Sequence, residues 1–362
     1  MSYYRFLKAC NNMPVDRTPV WLMRQAGRYM EQYRAVRAKV SFLDLCKSPE
    51  LCTEVTLQPI DILGVDAAIL FSDILVPIEP MGMKLDFTPS PVFERPIRTQ
   101  EDVDRLRVID PEADVPFVME TIKMLRRELE GRVPLIGFSG APFTLASYMV
   151  EGGGSKQFLK LKSMMYNEPG IYRGLMEKIT ETVIRYLNAQ VDAGAQALQV
   201  FDTWGGILSP GDYLNYVLPY TRRVIESVKK PYLGPFEHTS KVSEPVPEMR
   251  LPVINFVGNS QGFMPLVARG GGDVIGVDWR IDIAEARRQV GPNKAVQGNL
   301  DPIALMAPIP EIDKRVKEII AAAGDTGHIF NLGHGIVPET PVDHVKALVD
   351  SVHRHGESHR VR

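Results

Sequence analysis

The chain has 362 residues, 44% of them apolar, so it can bury a large core. A formal net charge of −2 excludes an overall basic field that would attract nucleic acid or an anionic membrane surface. The most apolar run, AAILF, is too short to span a bilayer, and the N-terminus lacks the pattern of an export signal. Three early cysteines, Cys10, Cys46 and Cys52, without a CxxC pair fit a cytoplasmic protein.

Eight short apolar segments alternate along the chain with amphipathic or polar stretches. The predicted strands cover residues 19–24, 67–73, 134–140, 197–203, 253–258, 273–278, 295–299 and 328–334. Strands buried on both faces and separated by helices indicate a parallel sheet with right-handed crossovers. We therefore predict an α/β fold with one domain over residues 1–362, a single (β/α)8 TIM barrel with its active-site cleft at the C-terminal rim of the strands. A doubly wound open sheet is the alternative.

One helix of this repeat is especially clear, and three other segments stand apart from the repeat. Residues 171–193 form an apolar stripe with helical spacing, and Gly194 is placed to end that helix. Residues 80–97 are rich in proline and predict a hairpin-like excursion, whereas 229–250 form a Pro-rich insertion without an assigned role. Residues 353–362 predict a frayed tail, with metal binding by its histidines as the minor alternative.

The densest positive charge follows the first predicted strand, where RQAGRYMEQYRAVR holds Arg24, Arg28, Arg34 and Arg37. Arg24 stands at the rim end of that strand, and Gly27 would let the backbone turn Arg24 and Arg28 inward together. Guanidinium groups bind carboxylates through paired hydrogen bonds. These two arginines therefore predict an anion-binding site. A solvated helix face is the stronger interpretation for Arg34 and Arg37.

Polar residues also end four of the predicted strands. Asp73, Asp202 and Asp278 each close one, and His334 closes the last between two glycines. The C-terminal rim is where barrel enzymes carry their chemistry. An aspartate after a strand can instead cap the next helix, and both interpretations stay open for Asp202 and Asp278. For His334, a structural role and a role in ligand binding or proton transfer also stay open.

No pattern for a bound cofactor is present. The glycines of YMVEGGGS follow the predicted helix that carries Tyr148, so they do not form a phosphate-binding loop between a strand and a helix. No GxGxxG follows a strand, which argues against a dinucleotide. Apart from the terminal HRH, no His or Cys spacing typical of a metal site occurs. We expect no cofactor and no metal.

The segments VWLMRQAGRY, AILFSDILVP, GFSGAPFTLASYMVEGGGS, QGNLDP and NLGHG resemble the uroporphyrinogen decarboxylase family, in order and from about residue 3 to residue 350. The resemblance implies a cytoplasmic homodimer of haem biosynthesis that needs no cofactor or metal. Its small-molecule substrate is uroporphyrinogen III. The enzyme converts the four acetate side chains to methyl groups, giving coproporphyrinogen III and carbon dioxide. Neither nucleic acid nor a membrane is implied as a partner.

The resemblance also implies a set of site residues. The substrate-binding loop comprises Arg24, Gln25, Ala26, Gly27 and Arg28, and the further binding positions are Asp73, Tyr148, Thr203 and His334. Thr203 stands where the family usually has serine, which keeps a hydroxyl and adds a methyl group. The insertion at 229–250 is longer than the family pattern, so it puts the local rim or dimer geometry in doubt.

The chemistry of decarboxylation suggests roles for these residues. A pyrrole protonated on a ring carbon can accept the electron pair left by carbon dioxide, and Asp73 would oppose the resulting positive charge. Arg24, Arg28 and Arg37 would neutralise substrate carboxylates. The proton donor is Arg24 as first choice or Tyr148 as second.

Two alternative functions fit the sequence less well than this interpretation. A corrinoid-dependent methyltransferase of the same superfamily needs late Cys and His zinc ligands, but the relevant position reads His238, Thr239, Ser240 and no cysteine follows Cys52. A non-catalytic tetrapyrrole carrier would leave Asp73, Tyr148 and His334 without a use.

Overall fold

A computed structural model describes residues 4–87, 91–233 and 248–357. Within this part of the chain, seven parallel strands form one curled sheet in the order β1-β4-β5-β6-β7-β8-β9, and β2 and β3 form a separate antiparallel hairpin. The strands are β1 (Ala68–Ile69), β2 (Leu85–Phe87), β3 (Pro91–Phe93), β4 (Leu135–Gly140), β5 (Ala197–Asp202), β6 (Val253–Val257), β7 (Val274–Gly276), β8 (Ala295–Gln297) and β9 (His328–Ile329).

Helices separate these strands along the chain. They are α1 (Arg5–Cys10), α2 (Glu31–Arg37), α3 (Phe42–Lys47), α4 (Pro49–Leu63), α5 (Gln100–Arg105), α6 (Pro111–Asp114), α7 (Pro116–Glu128), α8 (Pro142–Glu151), α9 (Leu159–Asn167), α10 (Pro169–Ala193), α11 (Pro210–Asp212), α12 (Leu218–Ser227), α13 (Met264–Arg269), α14 (Ile283–Val290), α15 (Ile309–Ala323) and α16 (Val342–His355). Short 3-10 turns at Val76–Met81, Gly205–Ile207 and Pro302–Met306 and a π-helical turn at Tyr213–Val217 complete the set. None of the helices in the described ranges is both long and apolar enough to cross a membrane.

The parallel sheet confirms the α/β class and seven of the eight predicted strands. Neighbouring strands pair in parallel register, for example Ile136 with Ala197 and Leu198 with Val253. The strand order rises along the chain, without the reversal that a doubly wound sheet shows. All seven carboxyl ends therefore lie along one edge of the sheet, as the site prediction requires.

The first predicted strand, residues 19–24, forms only a single parallel bridge, between Val20 and Phe330 beside β9. On its other side, the Val20 carbonyl accepts a hydrogen bond from the Asp66 amide just before β1. The segment therefore lies between the two ends of the sheet. It does not continue as a regular strand because Pro19 has no N–H to donate and the backbone turns left-handed at Arg24, with φ 62°.

The structure confirms the predicted hairpin and the predicted long helix. The β2–β3 hairpin confirms the excursion predicted over residues 80–97. Helix α10 confirms the long helix and ends at Gly194, whose φ of 116° suits glycine. The central part of the insertion, residues 234–247, lies outside the described residues.

The C-terminal end differs from the predicted frayed tail. Helix α16 runs to His355, and the carbonyl of Gly356 accepts a hydrogen bond from the Thr18 amide. His353 bonds to Asp66 and His355 to Asp313, each through Nε2 at 2.9 Å. The histidines are partners of buried or partly buried carboxylates, which is why this end is ordered. Residues 358–362 lie outside the described part of the chain.

Asp66 joins three distant parts of the chain. One carboxylate oxygen accepts Arg5 Nη1 of α1 at 2.7 Å, and the other accepts the Val20 amide at 3.0 Å and His353 Nε2 of α16 at 2.9 Å. Burial alone would raise the pKa of Asp66, but the hydrogen bond and charge of His353, the charge of Arg5 and the Val20 amide outweigh it and lower the pKa. The carboxylate is therefore a stabilising cross-link while it is ionised.

We expect Asp66→Ala to lower the free energy of unfolding by about 3–5 kcal/mol, because it leaves the buried guanidinium of Arg5 without one of its partners. Urea denaturation at pH 7 measures this. Asp61→Ala is the matched control, since the Asp61–Arg132 pair is exposed and is worth about 1 kcal/mol or less. The lowered pKa means that the Asp66 contribution is complete above its ordinary value of 3.8 and is lost as the pH falls below it. Equal losses in the two variants would contradict this role.

Candidate active site

Four elements carry the predicted polar residues to the carboxyl edge of the sheet. Asp73 follows β1, Tyr148 lies on α8 directly after β4, and Thr203 follows β5. His334 follows β9, where a parallel bridge between Leu300 and Leu332 extends the pairing. Parallel strands place residues after their carboxyl ends on one rim, so these residues share that rim.

The arginine loop is built around Gln25. The Gln25 side chain is 1% exposed, and it accepts the Leu22 amide at 3.0 Å while donating to the Ala67 carbonyl at 3.1 Å. Its own carbonyl accepts the Tyr29 hydroxyl at 2.6 Å. Both polar atoms of the Gln25 side chain therefore have partners within the protein. Gln25 anchors the loop, and Arg24 and Arg28 lie before and after it in the sequence.

The loop bends at Gly27, as predicted, and it also turns at Arg24. Arg24 has φ 62°, and Gly27 is not among the positive-φ glycines. Gly27 and Ala26 are partly buried within the loop. Arg24 and Arg28 are exposed, and neither guanidinium has a hydrogen-bond or ion-pair partner among the described residues. Two unpaired cations on one short loop can bind an anionic ligand.

Gly335 gives Arg24 the space it occupies. A side chain at position 335 would overlap the Cγ and Cδ atoms of Arg24. The amide of Gly335 donates to Nδ1 of His334 at 2.7 Å, so Nε2 carries the proton of the neutral ring. The Trp279 ring lies edge-on to the His334 ring, with centroids 6.4 Å apart. His334 is thereby held as a neutral hydrogen-bond donor.

The charge of Arg24 reaches three of the other site residues. Burial raises the pKa of Asp73 to about 6, and the Leu75 amide and Arg24 oppose that rise. The pKa of His334 is lowered to about 4, first by burial and then by the charge of Arg24. Burial raises the pKa of Tyr148, with Trp204 and Arg24 opposing it and Asp73 reinforcing it. The charge of Arg24 therefore influences the pKa of all three residues.

Asp73 keeps one oxygen available. Oδ1 accepts the Leu75 amide at 2.9 Å, whereas Oδ2 has no hydrogen-bond partner among the described residues. With a pKa of about 6, the carboxyl group is largely ionised at pH 7. The free oxygen can accept hydrogen bonds from ligand N–H groups.

The other two arginines of the cluster have internal partners. Arg34 donates through Nη1 to the carbonyls of Arg28 and Tyr29 at 2.9 Å each, so it supports the loop and is not simply solvated. Arg37 is partly buried, donates to the Val40 carbonyl and lies 5.8 Å from the Phe42 ring centroid. The charge of Arg24 therefore acts on Asp73, Tyr148 and His334, whereas Arg37 is held against Val40 and Phe42 just after α2.

The two open strand-end aspartates differ in their surroundings. Asp278 accepts the amides of Asn259 and Arg280 and the Arg280 side chain, so its carboxylate serves the structure. Asp202 is completely buried and accepts Thr144 Oγ1 at 2.7 Å. Neither oxygen of Asp202 caps a helix, and its carboxyl group is not open to a ligand.

Two tryptophans belong to this rim that the sequence analysis gave no role. Trp204 packs on Tyr148, with ring centroids 6.2 Å apart, and Trp279 packs on His334. Each follows a strand-end aspartate closely, in FDTW and VDW, and that shared pattern is the signal that could have found them. The described residues contain no group of three or more His, Cys, Asp or Glu side chains that could hold a metal ion.

The fold and the rim define an α/β protein that carries exposed arginines, a partly buried carboxylate and several hydrogen-bonding side chains at the carboxyl edge of its parallel sheet. The sequence profile of the family described as uroporphyrinogen decarboxylase (URO-D) matches residues 1–355. The chain belongs to the uroporphyrinogen decarboxylase family.

Curated relatives match almost the whole chain. The uroporphyrinogen decarboxylase of Trichlorobacter lovleyi is 58% identical over 97% of this chain and 98% of its own length. That of Geobacter metallireducens is also 58% identical, with the same coverage of both chains. Matches of this extent leave no large segment of either protein outside the comparison.

Solved structures share the fold at low identity. A methyltransferase from Methanosarcina mazei superposes with a TM-score of 0.77 over 97% of each chain at 21% identity. This likeness concerns the fold alone. The methyltransferase alternative would need zinc ligands near residues 238–240. These residues lie outside the described part of the chain.

We expect His334 to titrate near pH 4, well below an ordinary histidine, because its burial and the charge of Arg24 disfavour the imidazolium form. Nitrogen-15 NMR of the imidazole from pH 3.5 to 8 measures this, with the His334 signals assigned by their loss in His334→Gln. Because the pKa of His334 is lower in the folded protein than in the unfolded chain, protonation of His334 destabilises the fold as the pH falls below about 6.5. A midpoint near 6.5 would contradict the arrangement.

Proposed function

We propose that the chain is a uroporphyrinogen decarboxylase that removes the acetate carboxyl groups of uroporphyrinogen III and yields coproporphyrinogen III. Family membership supports the reaction, and one observation supports the site: the unpaired cation of Arg24 stands within electrostatic reach of Asp73, Tyr148 and His334. The substrate has many carboxylates and a ring of pyrrole N–H groups, so cations beside one acceptor carboxylate match its chemistry.

Asp73 is the acceptor for the pyrrole N–H groups. Its Oδ2 has no partner among the described residues, while the Leu75 amide fixes Oδ1. When a ring carbon is protonated, the pyrrole becomes cationic and the anionic carboxylate stabilises it. Carbon dioxide then leaves, and its bonding electrons neutralise the ring and give an exocyclic methylene. Protonation of that carbon and loss of the proton first added to the ring carbon give the methyl group and restore the aromatic pyrrole. The pyrrole itself is the electron acceptor.

Arg24 and Arg28 neutralise the acetate and propionate groups, and Arg24 is the first choice as the proton donor. Tyr148 is the alternative, because the raised pKa keeps its phenol protonated and able to donate. Thr203 and neutral His334 add hydrogen bonds. Gln25, Ala26 and Gly27 shape the loop, and Arg37 supports it from behind. The extra methyl of Thr203, compared with serine, narrows the cleft without removing the hydroxyl.

The complete architecture that we propose is one closed eight-stranded barrel formed by a single domain. Its support is the segment at Val20, which pairs with Phe330 on one side and accepts the Asp66 amide on the other. That segment takes the place of the first strand. We further propose that the enzyme is a cytoplasmic homodimer, an assignment supported by the family resemblance and by three buried, unpaired cysteines.

We expect Asp73→Asn to lower kcat by about 10²–10³-fold, because an amide lacks the negative charge that stabilises the cationic pyrrole. Anaerobic incubation of metal-stripped protein with uroporphyrinogen, followed by the number of carboxyl groups in the product, measures it. In the wild type, kcat/KM should fall as the pH drops through about 6, because Asp73 then becomes neutral.

Asp282→Asn is the matched control for this experiment. Asp282 caps α14 at the same rim, and asparagine caps a helix equally well. Binding of the tetrapyrrole by wild type without release of carbon dioxide would support the carrier alternative instead.

We expect Arg28→Gln to raise KM by about 10- to 100-fold, since a hydrogen bond to a charged group contributes about 1.5–3 kcal/mol. Steady-state kinetics measures the change. Arg288→Gln is the control, because Arg288 is an exposed arginine already paired with Glu285. A KM unchanged in Arg28→Gln would place the carboxylate contacts elsewhere.

A further inference from the structure

The fully buried hydroxyl group of Thr144 connects helix α8 to the turn that follows β5. Thr144 lies on α8, one turn before Tyr148, and donates through Oγ1 to Oδ1 of Asp202 at 2.7 Å. Thr144 Oγ1 also accepts a hydrogen bond from the backbone amide of Trp204 at 3.2 Å. One side chain thus ties the helix that carries Tyr148 to the turn that carries Thr203.

The turn after β5 is packed closely on its remaining sides. A Cβ at Gly205 would lie 2.7 Å from both Asp202 Oδ2 and a methyl of Val257, and one at Gly206 would overlap the backbone at Gly258. The Ile207 carbonyl accepts Lys162 Nζ of α9 at 2.9 Å. The position of this turn is therefore set by side-chain and backbone contacts, and the hydrogen bonds of Thr144 are among those that reach α8.

Trp204 contacts the helix through its ring as well as through its amide. Its indole lies between Tyr148 and Phe158, with ring centroids 6.2 Å and 5.1 Å away. Since Thr203 immediately precedes it, a shift of the Trp204 backbone moves the Thr203 hydroxyl and the support of the Tyr148 ring together. We call Tyr148, Thr203 and Trp204 the Trp204 wall.

We infer that Thr144 and Asp202 are positioning residues, which act through the Trp204 wall to hold the Thr203 and Tyr148 hydroxyl groups at the spacing that the substrate requires. This inference rests on the proposed function. The hydrogen bonds run in one direction, from the Trp204 amide to Thr144 and from Thr144 to Asp202, so each strengthens the next. Valine at 144 would keep the volume but leave a buried amide and a buried carboxyl oxygen unpaired.

The burial of Asp202 explains why the link has no substitute. Asp202 Oδ2 forms no hydrogen bond with a described residue, and the carboxyl group is completely buried. Burial raises the pKa of Asp202 to about 7, although Thr144 and the nearby Gly205 amide favour the charged form. Without Thr144, no described side chain would bond to this carboxyl group, and the turn would relax to find other partners.

The experiment compares Thr144→Val with Thr144→Ser and Ser147→Ala in the full-length enzyme. Serine restores the hydroxyl, and Ser147 is an equally buried hydroxyl on α8 whose partner among the described residues is the Phe143 carbonyl of its own helix. We expect Thr144→Val to raise KM by about five- to tenfold with kcat within twofold, because one misplaced hydrogen bond is worth about 1 kcal/mol. Thr144→Ser should restore KM, and Ser147→Ala should leave it unchanged.

A second readout needs no turnover. The chain has three tryptophans, so fluorine NMR of 5-fluorotryptophan protein gives one resonance for each, with Trp204 assigned by Trp204→Phe. We expect Thr144→Val to move the Trp204 resonance and to leave those of Trp21 and Trp279 in place. An unmoved Trp204 resonance, or a KM equal to that of Ser147→Ala, overturns the inference. Loss of decarboxylation in the wild type overturns the proposed function instead, and the fluorine measurement then still reports on the link.

Discussion

The site depends on the left-handed turn at Arg24. A non-glycine residue adopts a positive φ only where its surroundings determine it, and here the Gln25 side chain bonds to the Leu22 amide before the turn and to the distant Ala67 carbonyl. The turn directs the guanidinium across Gly335 to the rim. From there its charge reaches residues that follow three different strands. Without this turn the arginine would continue along the segment beside β9 and would not face Asp73.

Electrostatics then gives each rim residue a distinct state near neutral pH. The same burial makes Asp73 harder to ionise and His334 harder to protonate. Arg24 counteracts the first effect and reinforces the second. The cleft therefore offers one anion, one neutral donor ring and unpaired guanidinium groups. A ligand with acidic arms and N–H groups at its centre matches this arrangement, whereas a purely anionic ligand would meet the charge of Asp73.

Sequence patterns predicted the features that repeat. Apolar segments ending in Asp73 or Asp202 located the strands and the rim, because strand burial and strand ends leave periodic signals. The local features were not predictable in the same way. The bend predicted at Gly27 is present, but the left-handed turn at Arg24 left no signal in the sequence, because residues other than glycine rarely adopt a positive φ. The internal bonds of Gln25 depend on Ala67, which is distant in sequence, so no local pattern encodes them.

The C-terminal histidines show how far such long-range contacts extend. His353 bonds to Asp66, and Asp66 also holds the Val20 amide, four residues before Arg24. The segment that bridges the two ends of the sheet is thus fixed at the opposite face of the protein from the cleft. The Asp66 contact thus bears both on the segment beside β9 and on the arginine loop that continues it. A change that weakens the Asp66 cross-link should therefore disturb the arginine loop as well, because Asp66 holds the backbone only four residues before Arg24.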